Sequence, residues 1–162
     1  MPNKTGPQGA QGPQGAQGSQ GAQGSSAVGT ASTLGFMTGS VETSQSITTT
    51  GAFSDLTTAG PSVTINFASN NSSALVICTA QAYKSAANGV GMIGFAVSGS
   101  TTQAAGAVAR YDNNNINLGW YALYGTQIVT GLNSGNNTFI MKYYGGESGW
   151  SMSKRRILVI PL

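Results

Sequence analysis

Between Gly6 and Gly24 glycine occupies every third position without a break: Gly6, Gly9, Gly12, Gly15, Gly18, Gly21 and Gly24. The residue after each of the first six is Pro, Ala or Ser, and the residue before the next glycine is always Gln. A strict period of three has a specific steric use. Three polyproline-II-like chains wind around one axis so crowded that only glycine fits there. Such a segment has no stable single-chain fold, so if it is structured the protein is a trimer there. At ~3.1 Å per residue the rod would be roughly 55 Å long.

The repeat resembles collagen-like proteins. Its Y position is Gln throughout and never Pro, so prolyl hydroxylation has no substrate. That departs from animal collagens and is similar to bacterial and bacteriophage collagen-like segments, where polar Y residues replace hydroxyproline. The competing reading is a flexible Gly/Gln/Ala linker, but a merely flexible tract has no reason to keep a strict period. Six triplets with two prolines are marginal alone. They need a neighbouring domain that holds three chains together and raises their effective concentration.

Outside the repeat, enough of the 162 residues remains for one domain with a packed core. Charged residues are only 7%, so the surface must be covered by Ser, Thr, Asn, Gln and Gly. That suits large buried interfaces or a place outside a cell or on a particle. The net charge of +3 is too weak and scattered for a nucleic-acid partner. There is no histidine, and the single cysteine, Cys78, lies in the apolar run LVIC as a small buried hydrophobe. The start MPNKTGPQ has no apolar signal core and no later stretch resembles a membrane span. Assembly in the cytosol is expected, with exit by lysis or a route that needs no signal peptide.

Residues 1–5 form a polar lead, 6–24 the repeat, 25–40 a turn-rich neck and 41–162 a head. In the head, period-two runs separated by turn residues predict strands. These runs are Val41–Thr49, Ser62–Ala68, Ala74–Tyr83, Gly89–Ser98, Ala104–Tyr111, Leu118–Tyr124 with Thr126–Thr130 beyond it, Thr138–Tyr144 and Arg155–Ile160. Ala74–Tyr83 is apolar on both faces and reads as a central strand. About eight to ten strands is right for an all-β, antiparallel, two-sheet jelly roll.

The C-terminal stretch LNSGNNTFIMKYYGGESGWSMSKRRILVIPL adds a second resemblance. Leu132, Gly135 and Thr138 before a strand, then Arg156, Leu158 and Ile160 in a closing strand, are similar to the end of trimeric jelly-roll heads. Those heads are of the tumour-necrosis-factor and complement-head type, and many bacteriophage appendage proteins share the pattern. The resemblance implies a homotrimer whose last strand lies near the threefold axis, with Ile157, Val159 and Tyr143 helping to bury the interface.

Chemistry is sparse. Without histidine, and with one apolar-embedded cysteine, the usual nucleophile–base pairs cannot be built. The four carboxylates, Glu42, Asp55, Asp112 and Glu147, show no context that pairs two of them for glycoside hydrolysis. No catalytic residue, cofactor or metal site is assigned; Asp112 with the carbonyls of residues 113–115 reads as a solvated turn rather than a calcium loop. Lys154-Arg155-Arg156 reads as a polar strand end that pairs with Glu147. Tyr144 and Trp150, with Asp112 and Asn113 of the DNNN loop, are the candidates for gripping a host-surface glycan by stacking and hydrogen bonding.

The expected function is that of a non-enzymatic virion protein: a head fibre, capsid decoration or tail appendage bound to a capsid or tail protein. It would present its head in triplicate for adhesion or stabilisation. The alternatives are a bacterial surface or spore-coat collagen-like adhesin and, behind it, a polysaccharide-degrading head. A substitution tests the repeat directly: Gly15→Ala, at its middle, should lower the melting temperature of the polyproline-II circular-dichroism signal, and an unchanged melt would mean a linker.

Overall fold

A computed structural model of the chain describes residues 36–85, 89–113 and 119–162. The lead, the repeat and the neck up to residue 35 lie outside the described residues. Nine strands follow in chain order: β1 Met37–Val41, β2 Gln45–Ser46, β3 Ser62–Phe67, β4 Ser72–Lys84, β5 Gly89–Gly99, β6 Gln103–Asn113, β7 Gly119–Leu132, β8 Gly135–Gly145 and β9 Trp150–Pro161. Among the described residues no helix is long and apolar enough to cross a membrane.

The strands form two antiparallel sheets. The first runs β1-β9-β4-β7, with β2 also pairing β9; the second runs β3-β8-β5-β6. The first and last long strands are neighbours and successive strands cross between the sheets, which is the order of a jelly roll. β4 is central, bonded to β7 on one edge and β9 on the other, as its two-sided apolar pattern requires. Ala74, Val76, Cys78, Ala80 and Ala82 point inward, while Leu75, Ile77, Thr79 and Tyr83 are half-buried on the outer face.

The core lies between the sheets. Val63, Ile65 and Phe67 of β3, Ile93, Phe95 and Val97 of β5, and Phe139 and Met141 of β8 join one cluster with Val76, Cys78, Ile157 and Val159. Each large aliphatic side chain buried there contributes ~1.5–3 kcal/mol.

One irregularity sets which residues of β9 reach this core. From Lys84↔Trp150 to Gln81↔Ser153 the register with β4 is regular, but the next pair is Thr79↔Arg156. One extra β9 residue is accommodated there, and Lys154 takes a left-handed φ of 46°. A bulge of this kind shifts the in–out phase of the strand. Trp150 and Met152 point inward before it, and Arg155, Ile157 and Val159 after it. An unbroken strand would have put Arg156, Leu158 and Ile160 in phase with Trp150.

Two expectations are corrected. Ile157, Val159 and Tyr143 are fully buried between the two sheets of one chain, so they cannot face a neighbouring copy; the outward residues are those one step away in sequence. The first strand is Met37–Val41, mostly taken from the end of the neck, and within 42–49 only Gln45–Ser46 is strand. Pairing along the free edge of β9 decides this, over the β propensity of the Thr/Ile run. The run Thr126–Thr130 continues the strand before it, as expected, in one strand Gly119–Leu132; at Gly125 β6 passes so close that a Cβ would strike the Val108 carbonyl.

The in–out phase of β9 predicts a contrast in thermal or denaturant unfolding. Ile157→Ala should destabilise the head by ~2–5 kcal/mol. Arg156→Ala should stay within about 1 kcal/mol, since Arg156 is exposed and its partner Glu42 is a surface one.

Candidate functional site

The two outer faces of the sandwich differ in kind. On the second sheet the outer face is mixed: β3 presents Ser62, Thr64 and Asn66, and beyond them lie half-buried Ile140, Ala96 and Met92. Thr64 and Thr138 share a hydrogen bond of 2.8 Å, Asn66 Nδ2 donates to Asn136 at 2.8 Å, and Lys142 bonds Asp55 at 2.7 Å. The first two are cross-strand pairs of the ordinary stabilising sort; Asp55 lies in the segment before β3.

The first sheet turns an apolar face outward. Trp120 is 58% exposed, Tyr124 78% and Ile128 59%, spaced four apart on β7 and so on one side of the strand. Cross-strand pairing extends the stripe inward from that edge. Ile128 lies opposite Leu75, Leu75 opposite Ile160, and Ile77 opposite Leu158. At the other end Trp120 pairs with Tyr83, ring centroids 5.1 Å apart. Two shallow grooves of about 480 and 330 Å³ run over this face beside Arg156, one along β1 and Leu158, the other against Tyr124. Phe36 and Leu162, both strongly exposed, flank the same sheet. An apolar sheet face of this extent is a feature of interaction surfaces.

The sandwich has two distinct ends. The chain enters β1 where Met37 pairs with Val159, and Leu162 N–H donates to the Ser73 carbonyl at the same end. The opposite end carries Lys84, Gly89, Asn113, Gly119, Gly145 and Trp150, the strand ends of three crossings between the sheets.

The four residues expected to contact a glycan all come to that opposite end. Asp112 and Asn113 close β6 opposite Val90 and Gly89, Tyr144 lies opposite Met92, and Trp150 lies opposite Lys84. They do not form one exposed grip. Asp112 is on a strand, and both its oxygens accept from Arg110 Nε at 2.8–2.9 Å. Tyr144 is half-buried, its ring centroid 5.6 Å from that of Phe53. Trp150 is fully buried, a correction to the expectation of exposure. Gly91 packs on its ring so closely that a Cβ there would lie 2.9 Å away. Lys84 Nζ sits 5.1 Å from the ring centroid and donates to the Ser148 carbonyl at 2.8 Å. Burial lowers the Lys84 pKa, with Glu147 opposing.

The basic run is also divided. Arg156 pairs with Glu42 at 3.3 Å, not with Glu147, and Arg155 turns into the interior. Among the described residues no three His, Cys, Asp or Glu side chains come together as a metal site would require. The apolar stripe was present in the sequence as the four-residue spacing of Trp120, Tyr124 and Ile128. Nothing in that spacing said which face of β7 would meet the core.

With the strand order in hand, the chain is an antiparallel jelly roll. No protein-family model matches it, and no curated protein does. Among solved structures it is similar to Eiger, a TNF from S. frugiperda (TM-score 0.48, 8% identity, 78% of this chain and 92% of that one). It is also similar to the C-terminal CBM6 of LamC, a marine laminarinase from Zobellia galactanivorans (TM-score 0.31, 14% identity, 76% and 98%). The jelly-roll assignment stands on the strand order and draws on neither.

Two buried acids make the head sensitive to alkali. Burial pushes the Cys78 thiol up to about 12, and pushes the Tyr143 phenol up to about 12 against the opposing charge of Arg155. Both are held neutral when folded but ionise from about 9 and 10 in the unfolded chain. The unfolded state therefore binds fewer protons above pH 9, and stability falls as pH rises, by ~1.4 kcal/mol per unit for each group. Melting temperature should drop through pH 9–12, with a shallower slope for Cys78→Ala. At neutral pH a polar thiol reagent should label Cys78 only after unfolding.

Proposed function

We propose that this chain is a non-enzymatic structural subunit of a virion, a head fibre, capsid decoration or tail appendage, that assembles as a homotrimer. A collagen-like stem carries the jelly-roll head, and three heads close together on the outer face of the first sheet. The observation that carries this reading is the outward apolar stripe of Trp120, Tyr124, Ile128, Leu75 and Ile77, in a chain whose N-terminal repeat has a structural use only in threes. Covering that stripe with copies of itself meets two demands at once. It removes the apolar face from water and holds three stems at high local concentration.

The polarity of the head fits the same reading. The chain enters from one end of the sandwich, so the strand ends at the opposite side form the distal tip. Triplicate display there multiplies weak adhesion to a surface such as a glycan by avidity.

Light scattering of the intact chain tests the assembly. The expected mass is three times 16.4 kDa, and the head should stay trimeric, at a correspondingly lower mass, after collagenase removes the stem. The double variant Tyr124→Lys, Ile128→Lys should release single chains. A single-chain mass for the unmodified protein at micromolar concentration would overturn the proposal. Co-sedimentation with particles through a density gradient is expected; recovery with a cell or spore envelope would favour a bacterial surface adhesin.

A further inference from the structure

Arg155 is the unusual charge in this head. The Lys154 bulge turns its side chain inward, where it is 0% exposed. Its Nη2 donates to the Gln45 Oε1 at 3.2 Å and, at a long 3.4 Å, to the Thr43 carbonyl. Its Nε and Nη1 have no partner among the described residues. Two hydroxyls nearby share this condition. The guanidinium carbon lies 5.4 Å from the ring centroid of Tyr143, whose buried Oη makes no hydrogen bond of ordinary geometry and has Arg155 as its weak neighbouring donor. Ser54, backbone-paired with Tyr143 at 2.9 and 3.0 Å, buries an unpartnered Oγ.

A guanidinium does not deprotonate in a protein, so this positive charge is permanent. An interior cation without a counter-charge is strongly destabilising. The chain has no carboxylate left to supply one. Of its four, Glu42 lies on Arg156, Asp55 on Lys142 and Asp112 on Arg110, all at the surface, and Glu147 faces Lys84. Because Arg155 has no exposed surface, a carboxylate of another copy cannot reach it either.

We infer that the interior beside Arg155 binds a small monovalent anion of halide size, chloride in ordinary solution, held by the guanidinium with the Tyr143 and Ser54 hydroxyls as additional donors. A monatomic anion accepts from any direction, which suits donors that come from three separate segments. Gly60 packs against the Tyr143 oxygen, where a Cβ would lie 3.0 Å away, so the site is enclosed on that side. The anion would act as an internal fastener. Thr43, Gln45 and Ser54 belong to the segment that crosses from β1 to β3, Tyr143 to the second sheet and Arg155 to the first. This inference is independent of the homotrimer.

The experiment uses the full chain and exchanges chloride for gluconate at constant ionic strength. A bound anion raises the melting temperature with the logarithm of chloride concentration. That rise is expected for the unmodified protein, is shifted to higher chloride in Tyr143→Phe, and is absent in Arg155→Met. Crystals grown in bromide should give an anomalous peak beside the guanidinium. A melting temperature that ignores chloride, or bromide crystals holding only water there, would overturn the inference. The crystallographic arm needs no variant, so a failure of Arg155→Met to fold leaves the question decidable.

Discussion

The phase of the last strand is the constraint on which the rest of the head depends. β9 lies between β1 and β4, so its inward residues help close the core and its outward residues help shape the exposed face. One extra residue at Lys154 divides it into two segments of opposite parity. The first segment plants Trp150 and Met152 between the sheets; the second plants Ile157 and Val159 there and leaves Leu158 facing out beside Ile77. Both segments can be apolar inside only because the bulge absorbs the mismatch. The same bulge drives Arg155 inward, so the core gains its apolar closure and its one uncompensated charge from a single backbone irregularity.

The two sheets then divide the surface between water and protein. The outer face of β3-β8-β5-β6 is mixed, and its hydroxyl and amide pairs satisfy one another across strands. The outer face of β1-β9-β4-β7 has an aromatic and aliphatic stripe in their place. With charged residues at 7% of the chain, there is little to hold such a face in water. The energetics favour covering it, and the proposed homotrimer would do so with two further copies of the chain.

At the far end, aromatic packing replaces hydrogen bonding as the organising force. Tyr111 and Tyr121 stack at 4.1 Å between ring centroids, bringing the edge strands β6 and β7 together, and Tyr111 meets Trp150 edge-on at 6.2 Å. Gly91 lets β5 lie against the indole, and Lys84 covers the ring from β4. Trp150 is thus a pillar between the strand ends of both sheets, which is why it does not serve as a contact residue.

Much of the fold was legible in the residues. Period-two alternation in Ser62–Ala68, Ala74–Tyr83 and Thr138–Tyr144 placed strands, because successive side chains of a strand point to opposite faces. The two-sided apolar run at Val76–Cys78 marked the sheet centre for the same reason. Site residues were harder to place. Alternation in Arg155–Ile160 offers two faces, and both are apolar enough to be inside, so Ile157 and Val159 could not be separated from Leu158 and Ile160 by pattern alone. The sequence by itself determined an all-β head and an N-terminal period of three, since both follow from local sterics repeated along the chain. Only the tertiary structure decided which face of each strand meets the core, because that depends on a bulge one residue long and on partners distant in sequence.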